Sequence, residues 1–136
     1  MKVLALALVL AVASSPAAFE DKKPKISVKA NPAMGMSPVR IVVTADLSGG
    51  TDTEEFYCPA VEWEWGDDTR STNNADCDPY VAGKTEIKRR FTADHVYRSA
   101  GEYRVQFRLK KKDKTIGAGS TSVRVRPGLG DPGGGL

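Results

Sequence analysis

Histidine occurs once in the 136 residues, at position 95, cysteine twice, at 58 and 77, and aromatic residues make up only 7% of the chain. A single histidine leaves the common zinc-site spacings without their ligands, and no C-x-x-C pair is present. There is no G-x-S-x-G nucleophile turn, and no carboxylate and histidine stand at the spacing of a hydrolase, so no enzyme is expected. Neither sign of charge is in large excess, because 20 Lys and Arg against 17 Asp and Glu give a formal charge of +3. Proteins that live on nucleic acid carry a stronger basic surplus, so no nucleic-acid partner is expected. Beyond the first 18 residues no apolar run is long enough to cross a bilayer. What is present, 27% charged and 40% hydrophobic residues, is the composition of one globular domain.

Lys2 precedes an apolar run over residues 3–13, which ends in Ser14, Ser15, Pro16, Ala17 and Ala18. That order of basic, apolar and small residues predicts a secretory signal peptide over residues 1–18, cut between about Ala13 and Ala18. No cysteine follows the run, so a lipoprotein anchor is not expected. The mature chain is expected to be secreted or periplasmic, with no transmembrane span left after cleavage. In an oxidising space Cys58 and Cys77 are expected to pair as one disulfide, closing a loop of about twenty residues.

The mature chain alternates with period two and shows no helical stripe. Ile26, Val28 and Ala30 alternate with Ser27 and Lys29, and after a turn-rich stretch over residues 31–38, Val39, Ile41, Val43, Ala45 and Leu47 alternate with Arg40, Val42, Thr44 and Asp46. Val61, Trp63 and Trp65 alternate with Glu62 and Glu64, which places both tryptophans in the core. A polar loop is expected over residues 69–83, then a short strand over 87–91 whose alternation Arg89 breaks. Tyr103, Val105, Phe107 and Leu109, then Thr121, Val123 and Val125, form two further alternating runs joined by a turn at residues 112–114. About seven short strands in roughly 100 residues predict an all-β, immunoglobulin-like antiparallel sandwich over residues 24–126. The Gly- and Pro-rich residues 127–136 are expected to be a flexible tail.

Trp63-Glu64-Trp65-Gly66-Asp67-Asp68, then His95-Val96-Tyr97, then Gly101-Glu102-Tyr103-Arg104-Val105, resemble in order and spacing the polycystic kidney disease (PKD) domain family. The family pattern is an aromatic strand into G-D-G, then H-x-Y and G-x-Y-x-V, and the resemblance covers roughly residues 26–125. It implies a small immunoglobulin-like module of extracellular proteins, not itself catalytic, serving as spacer, adhesion or carbohydrate-associated unit. Trp63, Trp65, Gly66, Asp67, His95, Tyr97, Gly101, Tyr103 and Val105 are then structural residues, with His95 bonded to nearby backbone and facing other neighbours than Tyr97. Asp68 departs from the pattern, standing where the family prefers glycine. It tolerates a left-handed backbone less well than glycine but better than most residues.

Two functional expectations follow. The first is a protein- or carbohydrate-binding module, since the family's modules usually stand in arrays or beside an enzyme, whereas only a leader and a tail flank this one. Its candidate surfaces are an outward basic face, Arg104, Arg108 and Lys110 with Arg124 and Arg126, and a disulfide-pinned loop with Tyr57, Asn73 and Tyr80. On the basic face, Glu62 and Glu64 of the neighbouring strand are expected to neutralise much of the charge. The alternative is a calcium-stabilised structural or accessory subunit of a cell-envelope assembly, with Asn31, Asp67 and Asp68 as oxygen ligands. No other cofactor is expected, and the partner is an extracellular or envelope protein or glycan.

Overall fold

The computed structural model describes residues 12–13 and 23–129, so most of the leader and the tail beyond 129 lie outside the described residues. The strands are β1 (Lys25–Asn31), β2 (Met34–Met36), β3 (Val39–Ser48), β4 (Ala60–Glu64), β5 (Arg70–Asn73), β6 (Arg90–Tyr97), β7 (Gly101–Lys111) and β8 (Lys114–Arg126). They form a three-stranded sheet, β1-β3-β6, facing a five-stranded sheet, β2-β8-β7-β4-β5. This is an immunoglobulin-like β-sandwich. No described helix is long and apolar enough to cross a membrane.

Alternation decides which face each strand buries. Ile41, Val43, Ala45 and Leu47 from β3 meet Val61 and Trp63 from β4, Val105, Phe107 and Leu109 from β7, and Val123 and Val125 from β8. Phe91 and Tyr97 add the inner face of β6. One flank of the sandwich is shut by close approach. A Cβ on Gly117 or Gly119 of β8 would stand 2.7 Å from Ile26 Cδ1 or 2.8 Å from Val28 Cγ2, so β1 lies directly on that stretch of β8. The β7–β8 hairpin turns on Lys112 and Asp113, both at positive φ, as a two-residue loop matching strand twist requires.

Four details differ from the sequence expectation. Met34–Met36, expected within a turn, forms β2 and pairs with β8 in parallel, so the sheet is not wholly antiparallel. Arg70–Asn73, expected within a polar loop, forms β5; all four residues are exposed, so the strand has no alternation to read. The strand expected over 87–91 begins instead at Arg90 and runs to Tyr97. Arg89, which broke the alternation, ties the approach to β6, its guanidinium donating to the Gly49 carbonyl at 2.7 Å and to Asp52 at 3.1 Å. The eight strands thus exceed the expected seven.

Candidate functional site

The motif residues converge beyond the end of β4. Gly66 has φ +84, and a Cβ there would lie 2.8 Å from the Arg104 carbonyl oxygen, so both backbone conformation and space demand glycine. Asp67 Oδ1 accepts the Thr69 backbone N–H at 3.2 Å and the Thr69 hydroxyl, closing the turn on its own side chain. Asp67 Oδ2 lies 2.7 Å from His95 Nε2. The imidazole stacks on Trp65 at 4.6 Å and meets Tyr97 edge-on at 4.8 Å. His95 is therefore held by a carboxylate rather than by backbone, and it shares a face with Tyr97, as residues two apart on one strand must. The Tyr97 hydroxyl donates to the Trp65 carbonyl at 2.6 Å, and Trp65 Nε1 donates to Ser71 Oγ at 2.9 Å.

This cluster has the residue types of a hydrolase but not the geometry. In a catalytic triad the acid and the nucleophile address opposite ring nitrogens. Here Asp67 and Thr69 both lie at Nε2, at 2.7 and 3.5 Å. Burial alone would raise the Asp67 carboxyl, yet hydrogen bonds from Thr69 and His95 outweigh it and hold the group below the usual aspartate range. Burial, reinforced by the Asp67 charge, pushes the Tyr97 phenol above its usual range. A carboxyl depressed on folding contributes stability that is present above its unfolded pKa and is lost as pH falls through the folded value. Asp67→Asn should therefore cost on the order of 1–2 kcal/mol at neutral pH. In urea titrations at stepped pH, that difference should shrink below about pH 4; a gap that stays constant to pH 2 would show that the carboxylate adds nothing.

Asp68 occupies the left-handed region, with φ +65, at the position where the family pattern has glycine. Asp68→Gly should relieve this and stabilise the domain by roughly 1 kcal/mol, raising the calorimetric Tm by about 4–8 °C. A lower Tm would mean that the Asp68 side chain contributes more than its backbone costs. Asn31 stands on the outer face of the smaller sheet, in register with Val42, which itself pairs Asp94. His95, and Asp67 with it, belong to the opposite face, so the three candidate calcium ligands do not converge. Among the described residues no group of three or more His, Cys, Asp or Glu is placed to hold a metal ion.

Three of the five residues of the outward basic face, Arg108, Lys110 and Arg124, are ion-paired. Glu62 Oε2 meets Lys110 at 2.6 Å, Glu62 Oε1 meets Arg70 and Arg108 at 3.4 Å each, and Glu64 meets Arg70 at 2.9 Å and Arg108 at 3.0 Å. Glu62 is only 6% exposed although it points outward, because these long side chains cover it. Its hydrogen bond from Lys110 prevails over desolvation, and with the charges of Lys110, Arg70 and Arg108 keeps the carboxyl below the usual glutamate range. Arg124 pairs Glu102, and Arg104 donates to Ser120 Oγ at 2.8 Å.

The pinned loop fares differently. Cys58 and Cys77 are bonded, and both line a cleft of about 290 Å³ between the β4–β5 edge and β6. Val61, Trp63, Phe91 and Ala93 form its apolar floor, and Ser71, Thr72, Asn73, Glu86 and Lys88 its polar walls. Tyr57 and Asn73, expected as contact residues, lie in its lining. Tyr80 stands at its shoulder, 5.5 Å from the Tyr57 ring, and is absent from the lining itself. Both tyrosine hydroxyls hold loops, Tyr57 donating to the Asp78 carbonyl and Tyr80 to the Asp52 carbonyl at 2.6 Å. Sequence reasoning missed the floor and the far wall. Phe91 read simply as the end of a strand and Ala93 lay beyond it, and only the position of β6 opposite β4 makes them part of a cleft.

The fold with its acidic turn, H-x-Y segment and buried tryptophans defines the class, a small immunoglobulin-like sandwich of PKD-like form. It is similar to the PKD domain of an M14-like peptidase from a Thermoplasmatales archaeon, with a TM-score of 0.52 and 16% identity, covering 78% of this chain and 98% of that one. At that identity the likeness speaks for the fold. No protein-family model matches the chain, and no curated protein matches it.

Proposed function

We propose that the chain is a non-catalytic binding module that works outside the cytoplasm, in a periplasmic or extracellular space, and engages a protein or carbohydrate partner. The observation that carries this reading is the disulfide-walled cleft, a concave apolar surface with a polar rim. The disulfide itself, together with the leader-like residues 1–18, supports an oxidising compartment. The absence of triad geometry around His95, the one histidine, supports a non-catalytic role. The pairing of Arg108, Lys110 and Arg124 with carboxylates supports the cleft, rather than an electrostatic patch, as the working surface.

The test is a comparison of the wild-type chain with Asn73→Arg, which puts a long cation into the cleft wall, and with Arg124→Ala on the far side of the same sheet. On glycan arrays and displayed-peptide libraries the wild type and Arg124→Ala should bind alike, and Asn73→Arg should lose binding. Equal binding by all three would move the working surface elsewhere.

A further inference from the structure

The two sheets are unequal, and the inequality places the cleft. On one flank β1 lies on the glycines of β8, which shuts the sandwich. On the other, β6 covers β4 and β7, with His95 stacked on Trp65 and Phe91 5.6 Å from Phe107. β5 extends one strand further and has no strand opposite it. The cleft is the space where a fourth strand of the smaller sheet would lie. Its inner border is the free edge of β6, which pairs with β3 on one side only. A free edge offers a row of backbone donors and acceptors, the chemistry that adds an extended segment to a sheet.

Resting on the binding-module reading, we infer that the cleft takes one extended peptide strand from a partner protein, paired to the edge of β6. Alternate apolar side chains of that strand point at Trp63 and Phe91, and a Lys or Arg sits at its disulfide end. The volume of about 290 Å³ accommodates a few side chains, not a domain. A second copy of this chain fits poorly, because pairing β6 to β6 would drive the copy's own larger sheet into β5. A sugar lacks a platform, since Trp63 and Trp65 are buried and both tyrosine hydroxyls at the rim are engaged. Charge selects the basic residue. Glu86 lines the wall, Asp76 and Asp78 flank Cys77, and none of the three has an ion pair among the described residues. The cation in that wall, Lys88, lies over the Phe91 ring at 5.1 Å.

The experiment uses the purified, oxidised chain and a phage-displayed random dodecamer library, followed by synthetic peptides of the enriched sequence. Enriched peptides should show alternating apolar positions and a terminal basic residue. Their binding should protect amides of residues 90–97 from hydrogen exchange, and should fail when one alternate set of peptide nitrogens is N-methylated while surviving N-methylation of the other set. Glu86→Lys should weaken them about tenfold, an effect that salt reduces, and Asn73→Arg should weaken them further, with Arg124→Ala neutral. Enriched peptides that tolerate N-methylation on both alternate sets, or leave 90–97 unprotected, would overturn strand addition. Glycan-array binding lost in Asn73→Arg, without peptide enrichment, would overturn the peptide while leaving the binding-module reading intact, as would a concentration-dependent dimer abolished by Asn73→Arg. Binding of any kind that ignores Asn73→Arg would overturn the cleft as its site, and the peptide with it, and move the working surface elsewhere.

Discussion

Trp65→Ala is expected to destabilise the domain by about 3–5 kcal/mol, against a total of about 5–15 kcal/mol for a domain of this kind. Trp65 is fully buried and sits between two rings, stacked 5.8 Å from Trp63 and 4.6 Å from His95. Truncation removes both stacks, leaves a void too apolar to hydrate, and deprives Ser71 of its indole donor. It also loosens the backbone carbonyl that anchors the Tyr97 hydroxyl. Trp65→Phe keeps most of the packing and loses the indole hydrogen bond, so it should cost about 1–2 kcal/mol beyond the volume change. Guanidinium unfolding midpoints decide the matter. Equal midpoints for wild type and Trp65→Ala would mean that the ring is not a core element, and the cluster around His95 would need another anchor.

Loss of the disulfide is the second large effect. The two cysteines are 19 residues apart, and closing a loop of that length lowers the entropy of the unfolded chain enough to stabilise the fold by about 3 kcal/mol. Against that stands Cys58, whose φ of +52 is a left-handed conformation costing about 1 kcal/mol, which a freed chain can relax. The Cys58→Ser, Cys77→Ser double variant should therefore lose about 2–3 kcal/mol, or roughly 10–20 °C in Tm. The same loss should follow addition of reductant to the wild type. A Tm indifferent to reductant would show that the tyrosine-held loops already fix the segment without the bond. Because both sulfurs line the cleft, ligand binding should fall together with stability.

How much of this was legible depends on whether a residue's neighbours lie in its own strand or in another. Alternation alone placed Trp63, Trp65, Phe107 and Leu109 inside, and the spacing of the three motifs anticipated the turn at Gly66, including a left-handed Asp68. Pairing of Glu62 and Glu64 with Arg108 and Lys110 followed from strand adjacency and is observed. β2 and β5 were not legible: three residues centred on glycine and four exposed polar residues carry no period, and tertiary pairing alone makes them strands. The His95 partner was missed because Asp67 lies 28 residues away, across the sandwich. Tyr57, Asn73 and Tyr80 were singled out for their nearness to the cysteines, and the first two lie in the cleft lining. The opposite wall was not, since a cleft between sheets depends on how many strands each sheet has, and no local pattern encodes that number.

The overhang of β5 also sets a hierarchy of local opening. β3 and β7 have both backbone edges paired, and their inward residues are buried, so their amides should exchange with solvent only when the whole domain unfolds. β5 has one paired edge and no buried residue, so its amides should exchange through small openings that leave the rest intact. Deuterium uptake should therefore mark one wall of the cleft as the least protected strand of the larger sheet beside the short β2. The fold thus keeps a rigid centre and a compliant margin.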